Sequence, residues 1–179
     1  MKTTTLALKS MRLTLAAGML AAMTFAGHVL ADDATVNSTD KSFIENAYQD
    51  GLREVQMGKL GEGKTANTDV KAFAEKMVTD HSVANGELKA LAASKKVDVP
   101  ADPSLLSQGR VKLLDMKSGA DFDKAFVDDM VTDHKKAVDS FEKATNSADP
   151  DVKAFAAKTL PTLKAHLSMA EGLQNKVGK

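Results

Sequence analysis

From residue 39 onward, apolar residues return every three or four positions, in blocks separated by short polar stretches. That period marks helices with one buried face, and the two-residue alternation of half-buried strands is missing from these blocks. In the first block, Ile44, Tyr48, Leu52 and Val55 share a face. Thr39 or Asp40 supplies the cap, Ser42 and Glu45 stand in capping-box spacing, and Gly58, Gly61 and Gly63 predict an end near residue 63. The second block starts at Asn67 or Thr68 and carries Val70, Phe73, Met77, His81, Ala84, Leu88 and Leu91, ending near Lys95. Asp102-Pro103 is a cap followed by a proline that opens a short helix running to about Met116. Ser118 with Asp121 opens the third long helix, whose stripe is Phe122, Phe126, Met130, His134, Val138 and Phe141. Asp149-Pro150 opens the last, with Val152, Phe155, Thr159, Leu163, His166, Ala170, Leu173 and Val177. Pro161 lies inside that stripe, lacks an N–H and crowds the carbonyl of Ala157, so a bend is expected there. The bend either curves a surface helix or aims His166 inward.

Four helices of about 25 residues, each about 38 Å long, can bury a single stripe apiece only against one another. The first and last pairs are joined by short loops and should form antiparallel hairpins. The connection over residues 95–118 is long enough to carry the chain back along the assembly. The expected fold is therefore all-α: a ferritin-like four-helix bundle over residues 39–177, with a short extra helix in the crossover between helices two and three. An internal repeat supports equivalent halves. KAFAEKMVTDH (71–81) and KAFVDDMVTDH (124–134) share eight of eleven residues at an offset of 53, and DVKAFA occurs at both 69–74 and 151–156. With helices two and three parallel, His81 and His134 fall at nearly the same depth.

Residues 1–31 follow a different pattern. Lys2, Lys9 and Arg12 precede an uncharged, mostly apolar run from Leu13 to Ala26, and Val29-Leu30-Ala31 places small residues where a signal peptidase reads. The run is short for a membrane span. Cleavage after Ala31 is expected to leave a periplasmic protein with no integral membrane segment, beginning with a mobile stretch at 32–38. The mature part then holds 21 basic and 24 acidic residues, a net charge of −3.

Composition narrows the chemistry. The chain has no Cys, which excludes disulfides, thiolate metal sites and a thiol nucleophile. Basic and acidic residues balance at 24 each, with no basic run to hold nucleic acid. The mature chain keeps three histidines, each on the apolar stripe of a different helix. Met77 and Met130 precede His81 and His134 by four residues, Met169 follows His166 by three, and Glu54 lies on the first helix. Inward projection would gather three imidazoles, a carboxylate and several thioethers. Imidazole with thioether suits copper, and imidazole with carboxylate suits zinc or iron. The alternative is structural: methionine is a common core filler, and a buried histidine can be satisfied by a neighbouring helix. Asp80 and Asp133 point about 100° away from the histidines that follow them, toward solvent or a neighbouring helix. Counted from the last tight turn, His166 sits six residues, or about 9 Å, farther along than His134.

The segments FIENAYQDGLREVQMGKLGEGK, VKAFAEKMVTDHSVANGELKALA, FDKAFVDDMVTDHKKAVDSFEKA and DVKAFAAKTLPTLKAHLSMAEGL resemble the bacterial family catalogued as domain of unknown function 4142. The resemblance covers nearly all of residues 40–175 and rests on the Glu54 helix, both Asp-His pairs and the Leu-Pro that precedes His166. It implies export and a ferritin-like fold, and it brings no activity with it. The outer-membrane label often given to that family fits poorly, since no alternating strands for a barrel are present. Ferritin-like di-iron proteins place Glu three residues before each histidine of a Glu-x-x-His pair. Here Val78, Val131 and Leu163 occupy those positions, so ferroxidase chemistry is not expected. No GxSxG, HExxH, P-loop or GxGxxG motif occurs in the mature sequence, and GKLGEGK (58–64) has the wrong spacing for a phosphate loop. Two functions stay open. One is a non-catalytic envelope or stress-associated module meeting other proteins or its own copies. The other is a periplasmic metal-binding protein using His81, His134, His166, Glu54, Met77, Met130 and Met169.

Overall fold

The computed structural model describes residues 36–177. The expected signal segment, residues 1–31, lies outside the described residues, which form five helices and no strand. These are α1 (Ser38–Lys64), α2 (Thr68–Ser94), α3 (Leu105–Asp115), α4 (Gly119–Ala144) and α5 (Pro150–Val177).

The ends follow local hydrogen bonding. The cap of α1 is Asn37, whose side chain accepts from the Asp40 amide at 2.9 Å. Neither Thr39 nor Asp40 caps the helix, and the stretch expected to be mobile thus already includes its start. Asp40 is instead a tie: its Oδ2 accepts from Asn37 Nδ2 and Ser147 Oγ, each at 2.7 Å. Asn67 and Asp149 cap α2 and α5 by accepting from backbone amides two and three residues on. The short helix begins later than Asp102-Pro103 predicts. Gln49 of α1 accepts from the Ser104 amide and donates to the Asp102 carbonyl, so Ser104 becomes the cap, with Oγ 3.2 Å from the Ser107 amide. Pro161 sits on the exposed side of α5, which runs through it unbroken.

A three-residue link, Thr65–Asn67, turns α1 back on α2, and residues 145–149 do the same for α4 and α5. Phe43, near the start of α1, stacks edge-on against Phe141 near the end of α4, with ring centroids 4.9 Å apart. At opposite ends of α2 and α5, Lys95 pairs with Asp149 and Asp151, and Lys176 pairs with Asp69. Each of these neighbouring pairs is therefore antiparallel, and α2 and α4 run parallel. The short α3 lies across α1 and α4.

Burial follows the expected stripes on α4 and α5 closely and on α1 loosely. Leu52 and Val55 are only half-buried, and the face of α1 turned inward runs through Tyr48, Gly51, Glu54, Gly58 and Gly61. The physical reason is close approach, because a Cβ on Gly58 would lie 2.8 Å from Val78 Cγ2 and 3.1 Å from the Ala74 carbonyl oxygen of α2. Two apolar clusters result. One gathers Met57, Phe73, Met77, Phe122, Phe126 and Met130, and the other gathers Phe43, Ile44, Leu88, Phe141, Phe155 and Leu163. Between them, on all four long helices, comes a polar layer.

Candidate metal centre

That layer is built from one residue per helix: Glu54 on α1, His81 on α2, His134 on α4 and His166 on α5. All four are buried, His134 completely. The ring centroids of His81, His134 and His166 are 5.3 to 5.5 Å apart in each pairing. Each ring offers one nitrogen to a group whose members lie within 4.8 Å of one another.

His81 and His134 meet because the repeated segments run parallel. The axial offset expected for His166 is not found. Side chains lean toward the N-terminus of their own helix, and α4 and α5 are antiparallel. His134 therefore leans away from the loop that joins them while His166 leans toward it, which offsets the residue count.

On every ring one nitrogen is engaged and the other has no partner. His134 Nδ1 lies 2.9 Å from the Met130 carbonyl oxygen, which can only accept, so Nδ1 carries the proton and Nε2 the lone pair. His166 Nε2 lies 2.8 Å from Asp80 Oδ2. Partial burial works against the Asp80 charge, yet hydrogen bonds from Lys76 and His166 hold its carboxyl below the usual range. His166 thus donates from Nε2 and keeps its lone pair on Nδ1. His81 Nδ1 lies 3.0 Å from Glu54 Oε2. The nitrogens left without partners are His81 Nε2, His134 Nε2 and His166 Nδ1.

Burial also decides the charge states. It pushes His81 down to about 4 and lowers His134 and His166 as well, against the raising influence of Glu54 on the first and the Asp80 hydrogen bond on the second. All three are neutral imidazoles at pH 7. Glu54 is pushed up to about 7 by burial, against the pull of His134 and Arg53, and its Oε1 has no hydrogen-bond partner.

The other sequence-derived site residues fall into place unequally. Met77 and Met130 are fully buried in the apolar cluster that adjoins the layer, and Met169 is half-buried against it. Glu54 is not part of the three-nitrogen group; its Oε2 lies 3.0 Å from His81 Nδ1 and its Oε1 3.7 Å from His134 Nδ1. The two Asp-His pairs divide their work. Asp80 reaches His166 on α5, and Asp133 reaches Arg53 on α1 at 3.0 Å and Arg110 on α3 at 3.1 Å. Two neighbours were not legible beforehand. Asn85, one turn beyond His81, is buried with an unpartnered Nδ2. Gly51 on α1 makes room for it, since a Cβ there would overlap Asn85 Oδ1. Their only signal was the four-residue step from His81 to Asn85.

The donor set fits a transition-metal ion. An ion at the centre of a triangle whose sides are at most 4.8 Å would be no more than about 2.8 Å from each nitrogen, so reaching the usual imidazole distance of about 2.0–2.1 Å needs movements of no more than about 0.7 Å. Metal-bound imidazoles typically donate their second N–H to a carboxylate or a carbonyl, and Glu54, Asp80 and the Met130 carbonyl are those acceptors.

Among solved structures, the chain is similar to a DUF305 fragment from Deinococcus radiodurans, with a TM-score of 0.70, 14% identity, and 78% of this chain and 97% of that one covered. It is also similar to CopM in the Cu(I)-bound form, with a TM-score of 0.64, 20% identity and coverage of 78% and 98%. For CopM in the Cu(II)-bound form the values are 0.65, 19%, 76% and 96%. These likenesses establish a shared fold. No curated protein matches the sequence significantly. The chain belongs to the family described as Domain of unknown function (DUF4142), matched over residues 27–173.

Proposed function

We propose that this DUF4142 protein binds one transition-metal ion, copper before zinc or iron, in the core of a ferritin-like four-helix bundle. His81, His134 and His166 supply the ligands. One observation carries the reading: three buried imidazoles each present an unpartnered nitrogen while the opposite nitrogen is held by an acceptor. Leaving three buried polar atoms unsatisfied costs about 1–3 kcal/mol apiece, and a bound cation relieves all three at once. Copper is favoured by the affinity order of nitrogen sites and by the thioethers of Met77, Met130 and Met169, each one helical turn from a histidine in sequence. The copper-bound state of the CopM fold relatives supports the same choice. Parallel α2 and α4, joined by a long connection, support the ferritin-like arrangement. A periplasmic address, with residues 1–31 removed as a signal peptide, accords with a copper-handling role and with a chain lacking cysteine.

The test is direct. Protein purified from the periplasm without chelator should begin at Asp32 by mass spectrometry and carry close to one metal ion per chain. A His81→Ala/His134→Ala/His166→Ala variant should carry none. Copper at about a thousand times its Kd should stabilise the wild type by about 4 kcal/mol and leave the variant unmoved. Metal-free protein whose melting ignores copper, zinc and iron would overturn the reading. It would favour a non-catalytic envelope module, for which the exposed Leu105, Leu106, Leu113 and Met116 on and beside α3 supply a contact face.

A further inference from the structure

A cavity of about 270 Å³ lies between α1, α2, α4 and α5. Its wall includes His81 and Glu54 but neither His134 nor His166, so it meets the histidine layer from one side. Three buried atoms of wall residues have no hydrogen-bond partner: His81 Nε2, Glu54 Oε1 and Asn85 Nδ2. Asn85 is held there by the absence of a side chain at Gly51. Elsewhere the wall is largely apolar, with Leu88, Phe141 and Leu163, and Lys136 contributes one cation opposite the acidic groups of α1. The space is many times larger than an ion or the roughly 30 Å³ share of a water molecule requires.

Three imidazoles fill three positions of a four-coordinate ion, and sites that leave the fourth open are those that take exogenous ligands. We propose that the cavity admits a small donor ligand, neutral or singly charged and a few heavy atoms in size. It would coordinate the histidine-held ion at the position facing His81 and accept a hydrogen bond from Asn85 Nδ2. This inference rests on the metal-binding reading above. It makes the centre one of exchange or reactivity, where a fully enclosed ion would serve storage or structure.

Azide and imidazole serve as the probes, an anion and a neutral donor. Copper(II)-loaded wild type, titrated with each, should show a saturable change in ligand-to-metal absorption and in the electron paramagnetic resonance spectrum with at least one of them. Ala137→Phe, which places a ring in the cavity wall, should keep full copper stoichiometry and lose most of that response. Asn85→Ala should keep the spectrum of the azide adduct and weaken azide by about three- to tenfold, the worth of one hydrogen bond, and should leave imidazole unaffected, since its one lone pair is spent on the metal; it also carries the test if the phenylalanine variant does not fold. Loaded wild type that answers neither probe, or azide affinity equal to that of the wild type in both variants, would overturn the proposal while leaving copper binding intact. Wild type that takes up no copper would remove both readings together.

Discussion

Glu54 is a buried carboxyl whose position has a clear consequence. A carboxyl pushed up to about 7 by burial holds its proton more tightly in the folded chain than in the unfolded one. Its contribution to stability is complete below the unfolded value near 4.5 and is lost as pH rises through 7. His81 runs the other way: pushed down to about 4, it contributes above 6.5 and loses that contribution as pH falls through 4. Replacing Glu54 with Gln removes the first effect alone. Metal-free Glu54→Gln should therefore exceed the wild type at pH 8 by up to about 3 kcal/mol. The gap should close by pH 4.5, as read from urea midpoints at the two pH values. The same change replaces the charged acceptor that fixes His81 Nδ1 with a neutral amide that can also turn its NH2 to the ring, so copper affinity should fall by about 10- to 100-fold. A variant stabler when empty yet weaker for metal marks a carboxylate placed for the ligand. Equal gaps at both pH values would mean that another group takes the proton.

At the scale of the helix, α1 separates what was legible from what was not. The stripes of α4 and α5 could be read directly because Phe and Leu at a 3.6-residue period have one explanation, and the MVTDH repeat placed His81 and His134 at one level. On α1 the same logic chose Leu52 and Val55 and read the glycines as a weakened end. The helix does end at Lys64, within one residue of that expectation, but its buried face passes through Gly51, Gly58 and Gly61. A glycine that stops a helix and one that lets another helix approach look alike until the partner is known. The convergence of His166 was equally hidden, because residue counting ignores the opposite lean of side chains on antiparallel helices. Gly58→Ala tests the close approach. Helix propensity favours alanine by about 1 kcal/mol, but the new Cβ would press on Val78 Cγ2 and the Ala74 carbonyl oxygen, and overpacking costs about 1–3 kcal/mol. Gly86, midway along α2 with nothing within 4 Å of a built Cβ, isolates propensity. Gly86→Ala should raise the thermal midpoint and Gly58→Ala should lower it. If both rise, α1 and α2 are not packed as closely as described.

Across the whole molecule, the polar layer is held by charges reaching between helices beside it. Arg53 and Asp133 neighbour Glu54 and His134 in sequence, and both are buried. Arg53 Nη2 meets Asp133 Oδ2 at 3.0 Å, an ion pair without hydrogen-bond alignment, while Arg110 of α3 hydrogen-bonds Asp133 Oδ1 at 3.1 Å. Asp133 thus joins α1, α3 and α4 at one point, and α3 also buries Leu114 in the core while Leu105, Leu106 and Leu113 stay exposed. Removing one partner of a buried pair leaves a stranded charge and costs about 3–5 kcal/mol. Arg53 keeps Asp50 as a second partner, which places Asp133→Asn at the lower end of that range. Asp129, the half-exposed second partner of Arg110, provides the comparison, since exposed pairs are worth about 0–1 kcal/mol. Urea unfolding should therefore separate Asp133→Asn from Asp129→Asn by more than 2 kcal/mol. Amide exchange across residues 105–115 should quicken in the first variant and stay near wild type in the second. Since Asp133 is not a ligand, copper stoichiometry should survive in both. Equal costs for the two substitutions would show that α3 is held by buried Leu114, the Lys64–Asp115 pair and the Gln49 contacts at its cap, with no part for the buried charge.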